Sequence, residues 1–192
     1  MPSVDCSLVV HIGDSLTAYT VRALTAAYAD VGVTATIDAF GGRAILQKLP
    51  DDPHTGEDAA ISIAQTGFAG CWVVALGTND TANVAAGAGY TRGDAIDAMM
   101  TAIDATAVAP VLWVNTFTTR DDGYWANDNM VLWNEALVAA LQRWPNLELD
   151  DWAAVAATGV APYSDGIHHT SAGNDVRNAH IAQALVDVFP LP

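Results

Sequence analysis

The chain predicts an α/β fold, a parallel sheet with helices on both faces, and two observations carry that reading. Short apolar runs alternate along the sequence with segments whose apolar residues recur at helical spacing. The runs themselves are continuously apolar, as in Gly70-Cys71-Trp72-Val73-Val74-Ala75-Leu76, which marks strands buried on both sides. At 192 residues there is room for one domain with a substantial core, residues 1–192, and no repeat, linker or low-complexity tract divides it.

The first strand spans Val4 to Ile12, around the run Leu8-Val9-Val10, and stops at Gly13-Asp14-Ser15. A helix from Leu16 to Val31 follows, with Val21, Leu24, Tyr28 and Val31 on one face and Gly32 closing it. Val33 to Phe40 is the β-branched second strand, and Gly41-Gly42-Arg43 turns into another helical segment. Asp51-Asp52-Pro53-His54-Thr55-Gly56 breaks that segment before a helical piece from Glu57 to Thr66. Gly70 to Leu76 is the third strand, ended by Gly77-Thr78-Asn79-Asp80 and a Gly/Ala-rich loop, with a helix from about Gly93 to Thr106. Pro110 opens the fourth strand, Val111 to Asn115, and the polar loop from Thr116 to Tyr124 leads to a long helix from Trp125 to Trp144, stopped by Pro145. Leu147-Glu148-Leu149 is a short fifth strand. After a small helical piece and the loop Pro162 to His169, Thr170 or Ser171 caps a last helix ending at Phe189.

Composition excludes several functions. The net charge of −15, from 22 acidic against 7 basic residues, repels nucleic acid and anionic membranes. No apolar run approaches the ~20 residues of a membrane helix, so no stable membrane insertion is expected. Met1-Pro2-Ser3-Val4-Asp5 lacks the basic region and cleavage site of a signal peptide, which fits a cytoplasmic protein or a domain cut from a longer exported one. The expected state is a monomer without a cofactor.

Ligands in parallel sheets bind at the carboxyl ends of the strands. The polar and glycine clusters fall at those ends: Gly13-Asp14-Ser15, Gly41-Gly42-Arg43 and Gly77-Thr78-Asn79-Asp80 follow strands one, two and three. Asp165 and His168 lie in the loop before the last helix. Taken alone, Gly-Asp-Ser is a helix cap. Together with an imidazole to take the hydroxyl proton and a carboxylate to orient that imidazole, Ser15 fits the parts list for acyl transfer. Other polar residues read differently. Asp14 and Asp80 read as loop braces, His11 as a satisfied core histidine, and His54 and His180 as surface residues. His169 is an alternative base that the three-residue spacing disfavours. A metal site from Asp165, His168 and His169 is disfavoured, because adjacent histidines rarely point at one ion and no H-E-x-x-H is present, so none is expected. Gly41-Gly42-Arg43 lacks the third glycine of a dinucleotide fingerprint.

These four blocks resemble the SGNH (GDSL) hydrolase superfamily from Val9 to Gly173. The matching pieces are Gly13-Asp14-Ser15, Phe40-Gly41-Gly42-Arg43, Gly77-Thr78-Asn79-Asp80 and Asp165-Gly166-Ile167-His168. Thr17 stands where a lipase-type G-x-S-x-G has its last glycine, so an ordinary α/β-hydrolase elbow is absent. The resemblance implies Ser15 as nucleophile, His168 as general base and Asp165 as its orienting acid. It also implies an oxyanion hole from the Ser15 backbone N–H, the Gly42 backbone N–H (Gly41 being the alternative) and the Asn79 amide. Trp113-Val114-Asn115, Trp133-Asn134-Glu135 and Asp150-Asp151-Trp152 are similar to one branch, the SGNH domains attached to bacterial membrane acyltransferases that O-acetylate cell-wall glycans. That likeness implies removal or transfer of a short acyl group, acetyl for choice, on peptidoglycan or another envelope sugar. A thioesterase or lysophospholipase of longer chains is the alternative within enzymes, and a non-catalytic glycan-binding module is the alternative outside them.

Arg43, Tyr124, Trp125 and Tyr163 are candidates to line the substrate site, while Trp72, Trp113, Trp133 and Trp144 read as core. The sheet is expected as a three-layer, flavodoxin-like sandwich of five parallel strands in the order 2-1-3-4-5. Strands one and three are then neighbours, with Cys6 and Cys71 at one height near the end opposite Ser15. A disulfide, which would favour an extracytoplasmic home, and two free buried thiols both remain open there.

Overall fold

In a computed structural model that describes residues 5–52 and 54–191, strands and helices alternate as expected. The elements run β1 (Leu8–Gly13), α1 (Ser15–Ala18), α2 (Val21–Asp30), β2 (Thr34–Ala39), α3 (Gly56–Ala64), β3 (Cys71–Ala75) and α4 (Thr78–Ala85). They continue through α5 (Arg92–Ile103), β4 (Val111–Val114), α6 (Asn127–Ala140), β5 (Leu147–Asp150), α7 (Trp152–Ala156) and α8 (Ser171–Val188). The expected start of the first strand at Val4, the residues Met1 to Val4 read for a signal peptide, and Pro53 in the break lie outside the described residues.

All pairings are parallel and the order is β2-β1-β3-β4-β5. Because side chains alternate along each strand, the sheet feeds two cores. Val10, Ile12, Trp72, Val74 and Trp113 face α3, α5 and α6. Val9, Val73, Leu112 and Val114 face α2, α7 and α8, where Leu24, Tyr28, Trp152 and Leu185 meet them. Trp72, Trp113 and Trp133 are buried, as the sequence suggests, and the Trp113 indole N–H donates to the Leu76 carbonyl at 2.9 Å.

Three segments depart from expectation. The helix read from Leu16 to Val31 is two helices: Thr20, at φ −135°, leaves the helical path between them, and Asn178 donates to its hydroxyl at 2.6 Å. No helix follows Gly41-Gly42-Arg43; the backbone there is spent on other partners. Ala44 and Ile45 offer their carbonyls to the N–H groups of Gly56 and Glu57, and the Ile45 N–H donates to Asp80. Conversely, the Gly/Ala-rich loop after the third strand begins as α4, a polar helix that propensity alone does not favour. Its start is Gly77, at φ 133°, where any side chain would run into the Trp133 indole.

Cys6 and Cys71 form a disulfide with Cα atoms 5.1 Å apart. It lies at the amino edge of β1 and β3, away from the loops that carry Ser15 and Asn79. Since the bridge spans 65 residues of chain, the Cys6→Ser/Cys71→Ser double variant is expected to lose about 2–4 kcal/mol of unfolding free energy in urea titrations.

Candidate active site

The register of the central strands places Gly13 beside Ala39 on one side and Ala75 on the other, so the loops after β1, β2 and β3 share one edge. The Ser15 helix opens on Asp14, whose carboxylate accepts the Leu16 N–H at 2.9 Å. That cap turns Ser15 into the first helical residue, and its N–H has no partner among the described residues. Gly42 sits at φ 80°, in the left-handed region that glycine tolerates, and its N–H is likewise unpartnered among the described residues.

Asn79 is the second residue of α4, half-buried beside these groups. Its amide donates to the Arg43 carbonyl at 3.0 Å and makes a longer contact of 3.4 Å to Asp14. Asp80, the next residue, is buried and accepts the Ile45 N–H at 2.8 Å. Together they tie the loops after β1, β2 and β3 to one another.

The last loop brings up an imidazole. Asp165 accepts the N–H groups of Ile167 and His168 with one carboxylate oxygen, at 2.9 and 2.7 Å, which coils the three-residue interval into a turn. Its other oxygen lies 2.8 Å from His168 Nδ1. A carboxylate only accepts, so the Nδ1 proton points to Asp165 and Nε2 is left as an acceptor. Ser15 Oγ stands 2.9 Å from that Nε2. The hydrogen bond from His168, helped by the two backbone N–H groups, holds the Asp165 carboxyl well below the usual carboxylate range. His168 is about one-third exposed and Asp165 about half, so the array opens directly to solvent.

This loop is fastened from β4. The Thr119 N–H donates to Gly166 at 2.8 Å. Asn134 of α6 clamps the Thr116 peptide, donating to its carbonyl at 2.8 Å and accepting its N–H at 2.9 Å. Asn115 bridges to the start of α7 through Asp151 at 2.8 Å and the Ala153 N–H at 2.6 Å. Asn115, Asn134 and Asp151, singled out by their motifs, are thus braces of the loop that steadies the histidine.

Several candidates stand elsewhere than expected. Arg43 is neither a surface residue nor open to a ligand: it is 3% exposed and paired to Asp52 at 3.0 Å and Asp38 at 2.8 Å. Its guanidinium pins the glycine loop from within. Tyr163 turns its hydroxyl to the Phe117 carbonyl at 3.4 Å and lays its ring against His169, 4.1 Å between centroids. Tyr124 and Trp125 are exposed on the loop after β4. His169 is buried between Trp152 and Tyr163 and does not approach Ser15. His180, expected at the surface, is half-buried and paired with the buried Asp150 at 2.7 Å. His11 is the satisfied core histidine expected, bonded to Tyr28 at 2.9 Å and Thr17 at 3.2 Å, with burial pushing it down to about 3. Among the described residues, no three His, Cys, Asp or Glu side chains gather as a metal site. Sequence reasoning missed Tyr19, an exposed ring 6.0 Å from the His168 ring. Its lack of a place in the helical stripe was the available signal.

This architecture, a three-layer α/β sandwich around a five-stranded parallel sheet, recurs among solved structures. The C-terminal catalytic domain of peptidoglycan O-acetyltransferase A from Streptococcus pneumoniae superposes with a TM-score of 0.73 at 18% identity, over 98% of this chain and 97% of that one. A carbohydrate acetylesterase from Sinorhizobium meliloti gives 0.70 at 16% identity, over 95% and 99% of the two chains. An aryl esterase from M. smegmatis gives 0.68 at 17%, over 95% and 99%. The chain therefore has the fold of the SGNH (GDSL) hydrolases. No family model and no curated protein sequence matches it.

Two expectations follow from the buried charges. Arg43→Ala leaves Asp52 buried without its partner, and should cost about 3–5 kcal/mol in urea unfolding. Burial first, and the nearby Asp14 carboxylate as well, push the Asp80 carboxyl up to about 7; burial pushes Asp14 up to about 6. The folded protein therefore binds these protons more tightly than the unfolded chain, and their contribution to stability is lost as pH rises from about 4 through about 7. Asp80→Asn, which keeps an acceptor for Ile45, should gain stability over wild type at high pH and lose that advantage in acid. Urea midpoints compared across that range measure the crossover.

Proposed function

We propose that the protein is a serine esterase or acyltransferase that acts on a short acyl ester of a carbohydrate through an acyl-Ser15 intermediate. The observation that carries this reading is the Ser15 Oγ–His168 Nε2 contact of 2.9 Å, in line with the 2.8 Å contact from His168 Nδ1 to Asp165. A hydroxyl donating to the free nitrogen of an oriented imidazole is an activated nucleophile. As Ser15 Oγ attacks the ester carbonyl, His168 Nε2 takes its proton, and Asp165 steadies the imidazolium. The carbonyl oxygen becomes an oxyanion that the N–H groups of Ser15 and Gly42 can receive. The Asn79 amide reaches it by giving up its longer contact to Asp14. Collapse of this intermediate breaks the ester C–O bond, and the leaving oxygen takes the proton from His168. Water or a second hydroxyl then attacks the acyl-serine with His168 again as base, giving hydrolysis or transfer.

The shared fold of an O-acetyltransferase domain, a carbohydrate acetylesterase and aryl esterases supports a short acyl group and a sugar alcohol. The disulfide supports a place of action outside the cytoplasm. Ser15→Ala should abolish p-nitrophenyl acetate hydrolysis that the wild type performs; equal rates for both proteins would refute the assignment. Among p-nitrophenyl esters of increasing chain length, acetate is expected to be turned over best. Asn79→Ala should remain folded by circular dichroism and lose ~10²–10³ in kcat.

A further inference from the structure

At the joint between α1 and α2, Tyr19 is thrown outward and 74% of it is exposed, the most exposed large hydrophobic side chain among the described residues. It is not isolated from the chemistry. Its ring lies 6.0 Å from that of His168, and its hydroxyl sits 3.2 Å from where a Cβ on Gly41 would be. Tyr19 thus forms the rim of the site from the imidazole to the glycine loop. Tyr19 also lines a groove of about 550 Å³ that runs between α2 and the start of α8. Ala23 and Ala26 line it with small side chains, and Arg22, Asn174 and Asp175 contribute polar groups. Its volume falls within the range of about 300–1,000 Å³ common to small-molecule sites.

We propose that this groove holds the alcohol half of the substrate, a neutral glycan whose ring stacks on Tyr19. The inference rests on the esterase reading above and deepens it. His168 must hand a proton to the leaving oxygen, so the alcohol half has to lie on the His168 side of Ser15, where Tyr19 stands. A sugar presents an apolar ring face and a rim of hydroxyls, which suits one aromatic plate beside mixed donors and acceptors. Arg22 and Asp175 offer both signs of charge, and the chain's net charge of −15 repels a polyanion. With the alcohol half in the groove, the ester carbonyl oxygen is left to face the N–H groups of Ser15 and Gly42.

The test is titration of the Ser15→Ala protein with chitotetraose, followed through backbone amide NMR shifts. Shifts are expected at Tyr19, Arg22, Asn174 and Asp175. Adding Tyr19→Ala should weaken Kd about tenfold, Tyr19→Phe should restore it, and Asp175→Ala on the other helix should weaken it as well. With Ser15 intact, Tyr19→Ala should lower the ratio of kcat/KM for O-acetylated chitotetraose over that for p-nitrophenyl acetate. Shifts absent from the groove, or a Kd unmoved by both Tyr19→Ala and Asp175→Ala, would overturn the proposal. Binding in the groove without any Ser15-dependent ester turnover would uphold the groove and sink the esterase reading, so the two fail separately.

Discussion

The hydrogen bond from the Ile45 N–H to the buried Asp80 carboxylate is the constraint on which the site edge depends. A parallel sheet leaves its carboxyl edge as a row of loops with no ladder between them. Here each loop reaches sideways for a polar partner on the next. Asp80 holds the second loop from the third, Asn79 grips the Arg43 carbonyl, and the Asp14 side chain touches Asn79 while capping the serine helix. The interior of this lattice is charged and costly, since Asp80 and Asp14 are both buried carboxyls. Its result is that the N–H groups of Ser15 and Gly42 have no partner among the described residues while the backbone around them is tied down.

A second lattice serves the histidine. The Asp165–His168 turn is closed by its own carboxylate, but that turn is exposed and carries little core. Its placement comes from the loop after β4, which Asn134 and Asn115 fasten to α6 and α7. Ser15 and His168 are separated by 153 positions in sequence, so their 2.9 Å contact reports that the two lattices are in register across the sheet.

Much of this was legible in the sequence because parallel strands leave a plain trace. The runs at Leu8-Val9-Val10 and Cys71-Trp72-Val73-Val74 are apolar on both sides, and each ends where a turn residue stands. The nearness of Cys6 to Cys71 followed from strand order, and of the two states left open the structure contains the disulfide. What escaped was decided by long-range partners. Thr20 leaves the helical path between α1 and α2 where Asn178 meets its hydroxyl, and nothing near Thr20 announces that partner. The segment after Arg43 has helical spacing but surrenders its backbone to Asp80 and to the start of α3. Arg43, a candidate for the substrate site by sequence, is claimed instead by Asp38 and Asp52, five and nine residues away on opposite sides of a turn that propensity does not draw.

The bond between Cys6 and Cys71 lies at the edge of the sheet that has no part in the chemistry, yet it joins the two strands that deliver Ser15 and Asn79. A crosslink there acts as a clamp on the far end of a pair of rods. The rods cannot slide past each other, so loop sequences at the working end are free to diverge in length and composition without misaligning what they carry. Such a scaffold tolerates refitting of its rim, the stretch around Tyr19 included, and makes substrate preference separable from the alignment of the reacting groups.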